Sequence, residues 1–84
     1  MNRKMVASSN VRSIGFEDGV LEVEFIGGTV YQYVGPRVPA HYDGLMKAAA
    51  AGESLGKYMS VHVRRDPETL CTLLPATPAE EPQQ

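Results

Sequence analysis

Apolar and polar residues alternate through residues 20–34, VLEVEFIGGTVYQYV, and a Gly27-Gly28 pair divides the stretch into two runs. Period-two alternation marks strands, and a glycine pair between two such runs marks a hairpin turn. In the first run Leu21, Val23 and Phe25 share one face and Glu22 and Glu24 the other. In the second, Val30, Gln32 and Val34 share one face, and Thr29, Tyr31 and Tyr33 the other. An earlier, less regular run, Asn10 to Phe16, sets Val11, Ser13 and Gly15 against Arg12, Ile14 and Phe16 and reads as a further strand. The Asp18-Gly19 dipeptide after it is a strong turn signal. These three strands predict an antiparallel meander.

The period then changes. Gly35-Pro36 stops the strand, and Pro39 suits the first turn of a helix, where its missing N–H costs nothing. Over residues 38–51, Tyr42, Leu45, Met46 and Ala49 recur at helical spacing and form a face able to cover the sheet. Gly44 lies within this helix as a close-packing position, and Gly52 is the expected stop. Residues 54–64 read in two ways. As a helix they have Ser54 as N-cap and Leu55, Met59 and His62 on one stripe; as a strand they set Met59, Val61 and Val63 against Tyr58, Ser60, His62 and Arg64. The helix is favoured. Residues 69–74 offer one more short packing segment. The expected class is therefore α+β: a three-stranded antiparallel meander, one main helix on one face, and a short closing helix or strand. The expected organisation is a flexible arm at 1–7, a domain at 8–65 and an acidic, proline-rich, largely disordered tail at 66–84.

Composition bounds the function. Eighty-four residues allow one small domain with a thin core. Cys71 is the single cysteine, so no intrachain disulfide supports that core. No run approaches the roughly 18 apolar residues of a membrane span. The basic N-terminus has no apolar stretch after it of the kind a secretory signal needs, so a cytoplasmic location is expected. The net charge of −2 is unevenly distributed: residues 1–65 carry all eight Lys and Arg against six acids, a net of +2. That excess permits nucleic-acid contact without demanding it.

The hairpin register decides what Tyr31 and Tyr33 do. With a two-residue Gly27-Gly28 loop, Glu24 pairs with Tyr31, Val23 with Gln32 and Glu22 with Tyr33, leaving the tyrosines exposed beside two glutamates. A one-residue shift, through a bulge or a three-residue loop, buries both tyrosines beside Phe25. The first register places Gln32 in the core and puts carboxylates beside a would-be phosphate-binding face. The weight therefore falls on a buried or half-buried pair, with the exposed stacking surface as the alternative.

The chain resembles the KTSC family, a short domain found at the C-terminus of some lysyl-tRNA synthetases and free-standing in bacteria. The resemblance rests on Ser8-Ser9, Ile14-Gly15-Phe16, Leu21 to Phe25, Gly28 with Tyr31-Gln32-Tyr33, Val38-Pro39 with Tyr42 and Leu45, and Gly56-Lys57-Tyr58 with His62-Val63-Arg64. It covers roughly residues 6–65. Met59 and Ser60 stand where the family usually has an aromatic residue and an asparagine, and the 48–54 stretch is longer than usual. The resemblance implies an RNA-binding role with no established activity, in a bacterial or phage protein.

Candidate chemistry follows that implication. Aromatic residues at i and i+2 of a strand can stack unpaired bases. Lys57, His62, Arg64 and Arg65, with Arg37 and Arg12, can form a phosphate-binding edge. The candidate nucleic-acid-binding set is thus Tyr31, Tyr33, Arg37, Lys57, Tyr58, His62, Arg64 and Arg65. Each has a plainer reading as core or solvated surface. No nucleophile, acid–base pair or Cys/His metal spacing stands out, so a non-catalytic module without cofactor or metal is expected. His41 is expected on the helix surface, His62 half-buried, and Cys71 inert in packing. The alternative function is a protein-interaction or self-associating accessory protein, phage or mobile-element encoded, that sequesters a protein partner or a small nucleotide.

Overall fold

A computed structural model describes residues 2–74. The elements in chain order are β1 (Lys4–Met5), β2 (Val11–Glu17), β3 (Val20–Phe25), β4 (Val30–Val34), α1 (Val38–Ala50), α2 (Leu55–Tyr58) continued by a π-helical turn (Met59–Val63), and β5 (Leu70–Leu73). The strands form one antiparallel sheet in sequence order, so the fold is α+β with five strands rather than three. The central meander is the expected one. β1 extends it from within the stretch expected to be an arm. β5, built from the late apolar segment, extends it at the opposite edge. The tail expected to be disordered lies outside the described residues from 75 onward.

The first hairpin closes through Asp18 and Gly19, both at positive φ (52° and 78°), between the paired residues Glu17 and Val20. That is the left-handed pair a two-residue hairpin turn requires. The second hairpin has a three-residue loop, Ile26-Gly27-Gly28. The Phe25 N–H donates to the Thr29 carbonyl at 2.8 Å and the Gly28 N–H to the Phe25 carbonyl at 3.0 Å. Its register is therefore the shifted one: Leu21 faces Tyr33, Glu22 faces Gln32 and Val23 faces Tyr31. Both tyrosines join the Leu21/Val23/Phe25 face, and the two-residue-loop register is excluded. The extra loop residue also removes the difficulty over Gln32, whose Nε2 donates to Glu22 Oε2 at 2.8 Å on the opposite face.

That opposite face is polar yet partly dry. Ser13 and Glu22 are buried. Arg3, brought over the sheet by β1, donates to Ser13 Oγ at 3.0 Å and pairs with Glu22. Ser13 donates to Glu24 at 2.8 Å. Carboxylates this far from water need such partners, which gives the short β1 strand its structural purpose.

The apolar face carries the core. Val11, Ile14, Leu21, Val23 and Tyr33 of the sheet pack with Val38, Leu45 and Ala48 of α1 and with Leu55, Met59 and Val63 of the closing segment. Tyr42 stacks on Phe16 with ring centroids 5.1 Å apart. Helix α1 ends in a Schellman motif: Gly52 at φ 74° follows Ala51, and the Glu53 N–H donates to the Ala48 carbonyl at 2.9 Å. Ser54 then caps α2, accepting from the Lys57 N–H at 3.1 Å. The closing segment is helical, as favoured, but its inward stripe runs Leu55, Met59, Val63 instead of reaching His62. In the π turn the Arg64 N–H bonds the Met59 carbonyl five residues back, at 2.8 Å. The wider turn passes the stripe on by one residue and leaves His62 exposed.

Gly44 is the close-packing position expected of it. A Cβ there would lie 2.0 Å from Tyr58 Oη and 2.6 Å from Cζ, so Tyr58 lies across the helix where only glycine leaves room. None of the described helices is long and apolar enough to cross a membrane.

Candidate functional site

Helix α1 and the closing segment leave one end of the apolar sheet face open, where β3 and β4 run toward their shared loop. Phe25 and Tyr31 meet there edge to face, with centroids 5.9 Å apart at 79°. Tyr33 lies deeper, its ring 6.4 Å from that of Tyr31, and is only 4% exposed. Burial pushes the Tyr33 hydroxyl well above the usual phenol range. The adjacent Cys71 and Tyr31 add to the shift and Arg64 opposes it. Tyr33 is therefore a neutral wall residue, while the half-buried Phe25 and Tyr31 present aromatic surface to solvent.

Arg64 is set over this opening by the π turn, and Cys71 of β5 faces it from the other side. Phe25, Tyr31, Tyr33, Arg64 and Cys71 together enclose a cavity of about 460 Å³. Cys71 is exposed at this wall and does not lie in the packed interior expected for it. Phe25 and Arg64 also line a second, larger cavity of about 640 Å³, which continues past them to Ser9, Asn10, Lys57 and Ser60. The two cavities form one groove, aromatic at one end and polar at the other.

Local sequence explains how the polar end is assembled. Ser8 Oγ accepts from the N–H groups of Asn10 and Val11 at 3.1 and 3.2 Å, turning the chain into β2. Gly56 lies against Asn10 so closely that a Cβ would come within 2.7 Å of its Oδ1. The Ser54 cap starts the turn that directs Lys57 to the same place.

Charge pairing separates the basic residues into two groups. Arg3, Arg12, Arg37 and Lys47 each lie within 4.0 Å of a carboxylate. Among the described residues, Lys4, Lys57, Arg64 and Arg65 have no such partner and are exposed. Of these, Lys57 and Arg64 line the groove.

The structure thus brings Tyr31, Tyr33, Lys57 and Arg64 of the candidate set around one groove. Tyr58 and His62 pack against each other, ring planes tilted by 41° and centroids 4.4 Å apart, and line a further cavity of about 510 Å³ that adjoins the groove at Ser54 and Lys57 and is also lined by Glu53. Arg65 lines neither. Arg37 belongs to a different constellation, centred on the buried Asp66. Its guanidinium donates to both carboxylate oxygens, with Nε 3.0 Å from Oδ2. His41 Nε2 lies 2.9 Å from Oδ2, Thr69 Oγ1 donates at 2.8 Å and the Glu68 N–H at 3.0 Å. Arg37, then His41, Thr69 and the Glu68 N–H, hold the Asp66 carboxyl far below the usual carboxylate range despite its burial. His41 is accordingly buried, contrary to the expectation of a surface position, because one turn of α1 faces this carboxylate. The cluster ties α1 to the chain entering β5.

Phe25, Asn10, Ser9 and Ser60 were not singled out by sequence reasoning as site residues. The signal for Phe25 was its place in the Leu21/Val23/Phe25 alternation, which marks a core position. Nothing local reveals that the helical cover stops short of it.

Fold and groove together define a small α+β architecture with a half-covered sheet face. The family model for the KTSC domain matches residues 7–66, and the chain belongs to the KTSC domain family. Edge strands β1 and β5 both lie outside the matched residues. No curated protein matches the chain.

Proposed function

We propose that this protein is a non-catalytic module that binds single-stranded nucleic acid, RNA in the first instance, along the groove between Tyr31 and Lys57. The observation that carries this reading is the pairing of unneutralised cations with open aromatic surface. Lys57 and Arg64 lack carboxylate partners, and Arg64 lies beside Phe25 and Tyr31. A base stacked against Tyr31 and Phe25 would place its phosphate near Arg64. Stacking of this kind contributes about 1–3 kcal/mol per base and tolerates any sequence. Tyr33 supports the wall from behind, and Arg37 takes no part.

Fluorescence anisotropy with labelled single-stranded RNA and DNA tests the reading. For two phosphate contacts on a single strand, log K falls with log salt at a slope of about −1.4, so affinity drops about sevenfold between about 50 and about 200 mM salt. Arg64→Ala should reduce that slope by about 0.7. Absence of binding at the lowest salt, or binding indifferent to salt, refutes it.

Self-association through β5 is a second reading. All four β5 residues are exposed, none is charged, and Leu70 and Leu73 are 65% and 58% exposed. The Leu74 N–H bonds the Val30 carbonyl at 2.9 Å, so by alternation the N–H and C=O of Cys71 and Leu73 point to the open edge. Natural edges usually carry charge, as β1 does with Lys4. Two copies pairing antiparallel here would align their grooves on one side of a continuous sheet. Sedimentation equilibrium should then show a dimer that Cys71→Lys converts to monomer; a monomer at the highest soluble concentration refutes it.

A further inference from the structure

The polar end of the groove has a composition that stacking alone does not require. Six of the residues lining it are polar or cationic: Ser9, Asn10, Ser54, Lys57, Ser60 and Arg64. None of its lining residues is acidic, in a chain with ten carboxylates and eight Lys and Arg. Several donors there are uncommitted. Ser54 Oγ accepts the Lys57 N–H and keeps its own hydrogen to give. Asn10 Oδ1 accepts from Ser9 at 3.3 Å, which leaves the Asn10 amide N–H groups free. Ser60 is exposed with no hydrogen-bond partner among the described residues. These donors come from two separate parts of the chain, the turn into β2 and the closing segment, and the Gly56–Asn10 approach holds them together.

We infer that this end is a pocket for a terminal phosphate monoester, either the phosphorylated end of a nucleic-acid strand or the phosphate of a free mononucleotide. An internal phosphodiester has one negative charge and two free oxygens. A monoester carries nearly two charges and three strongly accepting oxygens, which match two unpaired cations and a ring of hydroxyl and amide donors. No carboxylate lines this cavity, and Glu53, beside Ser54, belongs to the lining of the adjoining one. In this arrangement Lys57 and Arg64 neutralise the charge, while Ser54, Ser60 and Asn10 read the oxygens. The neighbouring Tyr31/Phe25 surface takes the terminal base. The inference rests on the nucleotide-binding reading of the same groove and adds that the strand is held by its end.

The experiment compares one single-stranded RNA oligonucleotide in three forms, 5′-phosphorylated, 3′-phosphorylated and unphosphorylated, together with a nucleoside monophosphate. The intact protein is titrated with each, beside Lys57→Ala, Ser60→Ala and Tyr31→Ala. Both Lys57 and Ser60 are exposed, so their variants retain the fold. The expected result is that one phosphorylated form binds at least about tenfold tighter than the unphosphorylated strand, the scale of one added charge-assisted hydrogen bond. Lys57→Ala and Ser60→Ala should abolish that excess. Tyr31→Ala should weaken all forms and leave the ratio. Equal binding of the three oligonucleotides overturns the terminal-phosphate pocket and leaves the groove reading standing. Lys57-dependent binding of the monophosphate with no oligonucleotide binding keeps the pocket and overturns the nucleic-acid reading. No binding of any probe overturns both.

Discussion

Replacing Gly44 by alanine should have opposite effects in two backgrounds. In an isolated helix interior the change stabilises by about 1 kcal/mol, because alanine loses less backbone entropy and glycine is the poorest ordinary helix former. Here the new methyl would sit 2.0 Å from Tyr58 Oη, 2.6 Å from Cζ and 2.9 Å from Cε2, well inside contact distance. Tyr58 must move, and with it the contact of its ring with His62. Overpacking of this kind costs about 1–3 kcal/mol. The two terms leave Gly44→Ala between neutral and about 2 kcal/mol destabilising in the otherwise unchanged protein. With Tyr58 first truncated to alanine, the obstacle is gone and the same change should stabilise by up to about 1 kcal/mol. The coupling across the double-mutant cycle is then about 1–3 kcal/mol, read by urea denaturation of the four proteins at matched m-values. Additive effects, with no change of sign between backgrounds, would refute the placement of Tyr58 across α1.

Three further outcomes follow from the packing and the shifted ionisations. Gly35→Ala would put a methyl 2.6 Å from the Glu68 carbonyl oxygen and 3.1 Å from Thr69 Cα; since the obstacle is backbone, the chain entering β5 must shift, and chemical denaturation should show a loss of about 1–3 kcal/mol. The depressed Asp66 carboxyl contributes stability that is fully present above its unfolded value of about 4 and is lost as pH falls toward its folded value. Stability measured below about pH 4 should therefore decline in the natural chain, and Asp66→Asn should start lower at neutral pH and lose that part of the acid dependence. The raised Tyr33 hydroxyl works in the other direction: its contribution is complete below the unfolded value of about 10 and is lost as pH rises above it. Tyr33→Phe should flatten the alkaline limb of the stability profile.

The parts of the fold set by local chemistry were legible in the sequence. Asp18-Gly19 specified its hairpin, Pro39 and Gly52 bounded α1, and Ser54 capped the closing helix. The second hairpin was legible except for one residue. Gly27-Gly28 resembles a two-residue loop, and the awkwardness of a core Gln32 and of carboxylates beside the tyrosines pointed to the shift that Ile26 provides by joining the loop. The edge strands were hidden for another reason. β1 and β5 are two and four residues long and largely exposed, so no buried face imposes a pattern on them. The Asp66 cluster was equally hidden, because its partners lie 25 and 29 residues away and the contacts depend on α1 and β5 being in place. The candidate site was half legible: the tyrosines and the basic closing segment stood out. Their meeting beside Phe25 depends on where α1 and the closing segment stop covering the sheet, which residue spacing does not encode.

The groove is tested most directly by an NMR titration of the labelled protein with a short single-stranded RNA at low salt, following the aromatic rings and the backbone amides together. Perturbations concentrated at Phe25, Tyr31, Lys57 and Arg64, with Arg37 and the Glu22/Gln32 face of the sheet unmoved, are the expected result. Perturbations at Arg37 or on the Glu22/Gln32 face, or none at saturating RNA, would contradict the assignment of the groove as the binding surface.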